Sequence, residues 1–404
     1  LIPGAAPGGK LNPDRYRICK VTKKRENMSA LEGVKVVEFT SYVSGPYAGM
    51  LLADFGADVV KVEPPETGDP FRRWGEIDYN ATFGSVNRNK KSVTIDLKSP
   101  EGHAQALRLM DEADVVIENL RSGSLDRMKL GWDIMRVRNP RLIYCSITGF
   151  GDEGPYSQRP GYDTVGQAMG GLLSLLTDME KPQPMGISLS DHLAGISASM
   201  GILAALNARH VTGRGQRVST SLLESTISFL AENAARYFED GGTPGRATRT
   251  HIAQVFAFTA KDGKGFVIHL SSPTKFWLSL LEVVDRQDFT KDPRFSDRKK
   301  RIANYTALCD ELSTIFATKD RDHWIERLVA ADVPAGPIHD LEGVFNDPQV
   351  KALNMIVKAP HPAGRGEVSL IRNSVRMSDT PPVIRTAAPR LGEHNETILK
   401  TSEL

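Results

Sequence analysis

Residues 34–63 read VKVVEFTSYVSGPYAGMLLADFGADVVKVE. The stretch opens on a short apolar run, 34–39, of the kind that makes a strand buried on both faces. Ser44-Gly45-Pro46 then makes a turn. A helix rich in Ala, Leu and Met follows as far as Phe55, and Gly56 stops it. Residues 58–63 form the next strand. Strand, helix and strand fit within thirty residues, which is the spacing of a β–α–β unit.

Outward from this unit the alternation continues. Strands are expected at 93–97, 114–117 and 142–147, with helices at 100–113 and near 132–138. Repeated units of this length define the fold class as α/β, a doubly wound parallel sheet covered by helices. In such sheets ligands bind beyond the carboxyl ends of the strands, where the segments 40–46, 118–123 and 149–151 fall. The first contains SYVSGP rather than G-x-G-x-x-G, which speaks against a nicotinamide dinucleotide. Residues 213–216 turn into a strand at 217–221, and a helix is expected from 222 to about 238, then a flexible span at 240–245. A hairpin around Asp262-Gly263-Lys264-Gly265 and helices at 275–284, 305–317 and 321–331 compose a smaller α/β region. The tail, 367–404, reads as strand-rich and proline-punctuated, returning to the first domain.

The chain has 404 residues, 40% apolar and 25% charged, an ordinary globular composition with room for two domains. No run of 18 apolar residues marks a transmembrane helix, and no membrane association is expected. Cys19, Cys145 and Cys309 are far apart and form neither a disulfide framework nor a metal-ligand pattern, which fits a cytoplasmic protein. Residues 1–27 precede Met28, a candidate native start, and are expected to be a disordered leader introduced for expression. They carry seven Lys/Arg against two Asp/Glu, so the formal charge of +2 leaves about −3 for the remainder, and nucleic acid is not an expected partner. Asn87-Arg88-Asn89-Lys90-Lys91 is a local basic cluster. Its plainer reading is a solvated face, and its sharper one a contact to a ligand phosphate.

The usual hydrolytic, metal and P-loop signatures are missing: no G-x-S-x-G, H-E-x-x-H or C-x-x-C occurs, and His192 has no second ligand at metal spacing. Carboxylate chemistry remains, either as a nucleophile forming an acyl intermediate or as a base beside a thioester. The candidates lie in 161–195, GYDTVGQAMGGLLSLLTDMEKPQPMGISLSDHLAG. Tyr162-Asp163 opens this stretch, and Asp191 stands just ahead of an apolar helical run expected at 193–208. A helix N-terminus favours an ionised carboxylate there, as suits a nucleophile or base. It equally suits a cap, because Ser188-x-x-Asp191 has capping-box spacing. The residues alone leave both readings open, and leave Tyr162 and Asp163 as loop residues near a helix start.

Longer motifs go further. They include the run from Leu31 to Arg72 that encloses the opening stretch, NRNKKSVTIDLKSPEG at 87–102, ADVVIENLRSGSLDRMKLGWD at 113–133 and NPRLIYCSITGFGDEGPYSQRPGYD at 139–163. HVTGRGQRVSTSLLES at 210–225, DPRF at 292–295, VPAGPI at 333–338 and PRLGEHNETIL at 389–399 follow. Together they resemble the family III CoA-transferases, the CaiB–BaiF group that also holds the α-methylacyl-CoA racemases. The resemblance covers nearly all of 30–399 and is specific for the family rather than for a substrate. It implies an interlocked homodimer. A large Rossmann-like CoA-binding domain would comprise 28–222 and 351–404, and a small α/β domain 223–350.

The activity implied is movement of CoA from an acyl-CoA to a free carboxylic acid. Asp191, in the L-x-D-x-x-x-G setting of 189–195, would be the nucleophile, passing through an acyl-aspartyl anhydride and an aspartyl-CoA thioester. Coenzyme A enters as substrate, and no tightly bound cofactor or metal is implied. By position, Tyr42 and Val43 would meet the pantetheine end. Ile95, Asp96, Lys98, Asn119, Leu120, Arg127 and Met128 would lie near the nucleotide, while Tyr162 and Asp163 border the thioester opposite Asp191. The departures carry information too. Related racemases have histidine where this chain has Tyr162, and a phenol with an ordinary pKa of about 10 replaces it poorly as a Cα acid–base. Formyl-CoA:oxalate enzymes have Gln at the place of Val43 and Arg at that of Pro64, so oxalate is not favoured. Their glycine-rich covering loop has only an approximate counterpart at 241–249. A racemase of the same fold, or a non-catalytic CoA-binding relative with Asp191 as a cap, remain the alternatives.

Overall fold

In the computed structural model residues 28–74, 80–272 and 274–400 are described; the expected leader, 1–27, lies outside the described residues. Short valine- and isoleucine-rich runs become the strands β1 (Lys35–Phe39), β2 (Asp58–Glu63), β3 (Lys90–Thr94), β4 (Val115–Glu118), β5 (Ile143–Thr148) and β6 (Arg217–Ser221). They form one parallel sheet in the order β3-β2-β1-β4-β5-β6. The order reverses between β1 and β4, and a crevice opens there beyond the strand ends. Every residue of β4 and β5 is buried, as a sheet covered on both faces requires.

The chain winds around this sheet through α1 (Ser44–Asp54), α2 (Ala81–Asn87), α3 (Pro100–Asp111), α4 (Ser124–Arg127), α5 (Trp132–Arg138), α6 (Asp163–Met169), α7 (Leu172–Leu176), α8 (Leu189–Thr212), α9 (Leu222–Phe229) and α10 (Ala231–Asp240). α8 packs on α1, β5 and β6. Its close approach to α1 depends on Gly195, where a Cβ would come within 2.8 Å of the Ser44 carbonyl. By length and composition α8 could cross a membrane. Here Ala194, Ala198, Ile202 and Ala205 sit in the core against the sheet, and buried Arg209 pairs with Asp114 at 2.9 Å, so it is a core helix. It begins four residues before the expected start at 193, which brings Asp191 inside the first turn. The single helix expected from 222 to 238 is broken at Leu230 into α9 and α10.

The basic cluster 87–91 is neither a solvated face nor a phosphate contact. β3 lies three residues ahead of its expected place, at Lys90–Thr94, because Lys90 points into the domain toward Glu38. The three strands β1, β2 and β3 bring together three fully buried charges, Glu38, Lys61 and Lys90. The Glu38 carboxylate lies 3.3 Å from Lys61 Nζ and 2.9 Å from Lys90 Nζ, and Asp69 lies 3.0 Å from Lys61 Nζ. Lys61 also donates to the Thr40 carbonyl at 2.8 Å, and Lys90 to the Pro46 carbonyl at 2.7 Å. Burial alone would depress both ammonium groups. For Lys61 the carboxylates of Asp69, Glu38 and Glu63 overcome burial and raise its pKa. Lys90 is pulled down to about 8, by burial first and by neighbouring Lys61, with Glu38 opposing. Gly49 on α1 closes the cluster from above, since a Cβ there would meet Glu38 Oε2 at 1.9 Å. Arg88 and Asn89 bind Asp54 instead, and Lys91 alone stays at the surface, beside Asp58.

A second core runs from Phe256 to Val333. It is built on the antiparallel strands β7 (Val255–Thr259), β8 (Gly265–His269) and β9 (Ala335–Pro337), packed by helices Lys275–Val283, Tyr305–Phe316 and Arg321–Ala330. The tail differs from the strand-rich expectation. Within its described residues only Glu367–Ile371 is a strand, paired with Ile356–Pro360, because Pro381, Pro382 and Pro389 cannot donate to a ladder. The tail does return to the first sheet, through side-chain bonds and isolated backbone bonds rather than a ladder. Asn89 accepts from Arg385 and Thr386, and Asn395 exchanges hydrogen bonds with Thr94 on the β3 edge.

Lys61→Met removes a cation from between two buried carboxylates, so it should lower unfolding stability by about 3–5 kcal/mol. Urea titration checks this, and a loss below about 1 kcal/mol would show that the cluster is not a principal support of the sheet.

Candidate active site

Two adjoining clefts open at the carboxyl ends of the strands. The first, of ≈ 560 Å³, is walled by the ends of β1, β2 and β3 and the segments after them, including Val62, Pro64, Pro65, Ile95 and Leu97, together with Leu120 and Met128 after β4, and is largely apolar. The second, of ≈ 260 Å³, lies between the segments after β1, β4 and β5 and reaches Asp191 on α8. Ser41 and Leu120 line both, so one continuous surface joins them across the switch point.

The turn after β1 is rigidly built. Tyr42 holds a left-handed backbone, φ 61°, unusual for a bulky side chain. Its N–H donates to Asp69 at 3.1 Å, which ties the turn to the buried ion cluster. Asn119, the residue after β4, closes the turn from the other side. Its side chain accepts from the Ser41 N–H at 2.8 Å and donates to the Ser41 carbonyl and the Ser44 hydroxyl. Beneath it Glu118 is buried with no cation paired to it among the described residues. Burial lifts its carboxyl to about 7, against hydrogen bonds from Ser146 and the Leu120 N–H.

Asp191 faces the smaller cleft half-buried, and its carboxylate accepts no hydrogen bond from any described residue. The capping box does not form: Ser188 is the N-cap but makes no side-chain cap bond. Asp163, at the start of α6, serves the terminus instead, its Oδ1 accepting from the Asp191 N–H at 3.2 Å while Gln167 donates to its other oxygen. The expectation of an acidic, readily ionised Asp191 is therefore reversed. Burial first, then the negative charge of Asp163, raise it to about 7. Tyr162 stands mostly exposed, its ring edge-on to Tyr42 with centroids 5.9 Å apart. His192 is held within the fold. Its Nδ1 lies on the Ser188 carbonyl and its ring packs on Tyr47.

Tyr42, Asn119, Leu120, Tyr162 and Asp191 thus come together at the smaller cleft, and Ile95, Asp96, Lys98, Leu120 and Met128 at the larger. Three expected residues stand apart. Val43 caps α1 and is buried among Phe71, Phe83 and Val86, on the core side of the turn. Arg127 is exposed on α4, donating to Ser124 Oγ, and lines neither cleft. Asp163 turns to the α8 terminus rather than to the cavity. Unanticipated cleft residues are Thr67 and Arg73 after β2, Arg121 and Ser122 after β4, and Thr148 and Arg159 around the β5 loop. Their sequence signal was position alone, at the carboxyl ends of strands.

Fold and clefts together define a doubly wound α/β protein with an unpaired carboxylate at its switch-point crevice. The chain belongs to CoA-transferase family III, whose sequence model matches residues 31–395. It is 34% identical over 374 residues to the succinyl-CoA–D-citramalate CoA-transferase of Chloroflexus aurantiacus, covering 91% of this chain and 92% of that one. It is also 34% identical over 383 residues to the succinate–glutarate CoA-transferase of Agrobacterium fabrum, covering 92% and 96%. Among solved structures, a CAIB/BAIF family protein from Brucella suis superposes with a TM-score of 0.81 at 37% identity, over 92% of this chain and 98% of that one.

Removing the Asp163 charge should lower the pKa of Asp191. Carbodiimide labelling, which consumes the protonated carboxyl, should persist at Asp191 up to a midpoint near pH 7. In Asp163→Asn that midpoint should move to lower pH, as read by peptide mass spectrometry.

Proposed function

We propose that the protein moves CoA from an acyl-CoA thioester to a free carboxylic acid, with Asp191 as the nucleophile. The observation that carries this reading is the Asp191 carboxylate, without a hydrogen-bond or ion-pair partner among the described residues, on the wall of a cleft continuous with the larger apolar one. A nucleotide and its pantetheine arm laid from the larger cleft across Ser41 and Leu120 would bring a thioester to Asp191. Lys98, beside Ile95 and Met128, would meet the nucleotide end, and Tyr42 and Tyr162 would border the thioester.

An ionised Asp191 oxygen attacks the thioester carbonyl, the C–S bond breaks, and CoA leaves as the thiolate, giving an acyl-aspartyl anhydride. The thiolate then attacks the Asp191 carbonyl carbon and releases the donor acid as carboxylate. The acceptor carboxylate attacks this aspartyl-CoA thioester, forming a second anhydride. The returning thiolate attacks the acceptor's acyl carbon, which yields the new acyl-CoA and regenerates the Asp191 carboxylate. No net proton is consumed. Because Asp191 titrates near 7, the competent fraction grows as pH rises through that value.

The cap alternative is disfavoured because Asp163, not Asp191, serves the α8 terminus. The racemase alternative lacks a suitable second acid–base, with a phenol at Tyr162 and Asp163 engaged by Gln167 and the Asp191 amide. We also propose a homodimer whose second copy covers the outer faces of α8, α9 and α10, with 28–222 and 351–404 as one domain and 223–350 as the other. Met200, Phe229, Tyr237 and Phe238 are each more than half exposed there, and α10 buries no residue.

Hydroxylamine added during turnover should convert Asp191 to its hydroxamate, located by peptide mass spectrometry. Asp191→Asn should abolish transfer while retaining CoA binding. An Asp191→Ala enzyme that still moves CoA would overturn the assignment.

A further inference from the structure

The smaller cleft is lined by two arginines that the transfer chemistry does not use, Arg121 and Arg159. Arg159 lines it together with Asp191, and pairs with no carboxylate among the described residues. Its guanidinium carbon lies over the Tyr156 ring, 3.8 Å from the centroid, and Tyr156 in turn packs edge-on against Phe150. Its guanidinium N–H groups donate to no described residue, and such a fork grips a carboxylate in two-point fashion. The loop that carries it is anchored. Its ends cross at Gly149 and Gly161, where a Cβ on either would approach the other's Cα within 2.9 Å, and Arg217 holds Asp152 at 3.0 Å. Tyr162 and Asp163 follow immediately, so the segment that positions Arg159 also reaches the Asp191 amide.

We propose that Arg159 binds the distal carboxylate of a dicarboxylic substrate whose other carboxyl exchanges CoA at Asp191. This rests on the transferase reading above and adds to it the class of acid. A cleft of ≈ 260 Å³ has room for a short dicarboxylate. A monocarboxylate of the same length would leave the Arg159 charge without its partner, and discrimination follows from that difference.

The test compares glutarate with valerate, and succinate with butyrate, as acceptors for one acyl-CoA donor, in the wild type, Arg159→Lys and Arg159→Gln. In Arg159→Gln the ratio of kcat/KM for the dicarboxylate to that for its monocarboxylate partner should fall about 10- to 100-fold. Arg159→Lys, which keeps the charge but not the fork, should fall between. An unchanged ratio accompanied by a raised KM for the acyl-CoA would overturn the proposal and place Arg159 on the CoA phosphates. A wild type that prefers monocarboxylates would overturn it too, with transfer itself intact. Absence of any thioester product and of any Asp191 hydroxamate would sink the transferase reading as well.

Discussion

Four charges with no access to water hold the sheet to its ligand crevice. Isolated in a protein interior each would cost several kcal/mol, and they are tolerated only because Glu38, Lys61, Asp69 and Lys90 answer one another at hydrogen-bond range. Because those residues sit on β1, β2, β3 and the loop after β2, their pairing fixes how the three strands lie beside each other. A slip of one residue would turn a lysine outward and strand a carboxylate. The cluster also reaches the site. Lys61 holds the Thr40 carbonyl and Asp69 the Tyr42 amide, so the strained turn that walls both clefts rests on the same charges that align the sheet.

The electrostatics at Asp191 show two general effects in competition. A first-turn position on a long helix favours the carboxylate, but the terminus is already met by Asp163, whose charge and hydrogen bond occupy that field. What remains for Asp191 is partial burial beside a like charge, and both favour the neutral acid. A less acidic carboxyl makes a more strongly nucleophilic carboxylate, at the cost of a smaller ionised fraction at neutral pH. The arrangement fits an attacking group better than a permanent counter-ion.

Much of the architecture was legible. The runs at 34–39, 58–63 and 217–221 fall on β1, β2 and β6 within a residue because β-branched side chains and bounding turns act locally. The misplacement of β3 has a different origin. Lys90 reads as surface until Glu38, 52 positions earlier, is known to face it, and that pairing is a tertiary fact. The site divided likewise. Ile95, Lys98, Tyr42, Tyr162 and Asp191 follow from strand ends and motif position. The inward turn of Val43 and the engagement of Asp163 depend on contacts between distant segments. The tail's lack of strands was signalled by its prolines, but its route was not, because it is fastened by Asn89, Ser92 and Asn395 rather than by a ladder.

That fastening has a consequence during synthesis. Ser92 on β3 meets His394, 302 positions later, so the outer strand of the large sheet stays uncovered while nearly the whole remaining chain is made. At ribosomal rates of roughly 5–20 residues per second, the interval is on the order of 15–60 s. The 256–333 core can form within that window, but the β3 edge cannot be fastened before residues 392–395 emerge. An open parallel edge is a template for pairing with another strand, and neighbouring nascent chains on one messenger present the same edge at the same time. The strap at 392–395 is therefore also a timing device, the piece that withdraws the edge from competition.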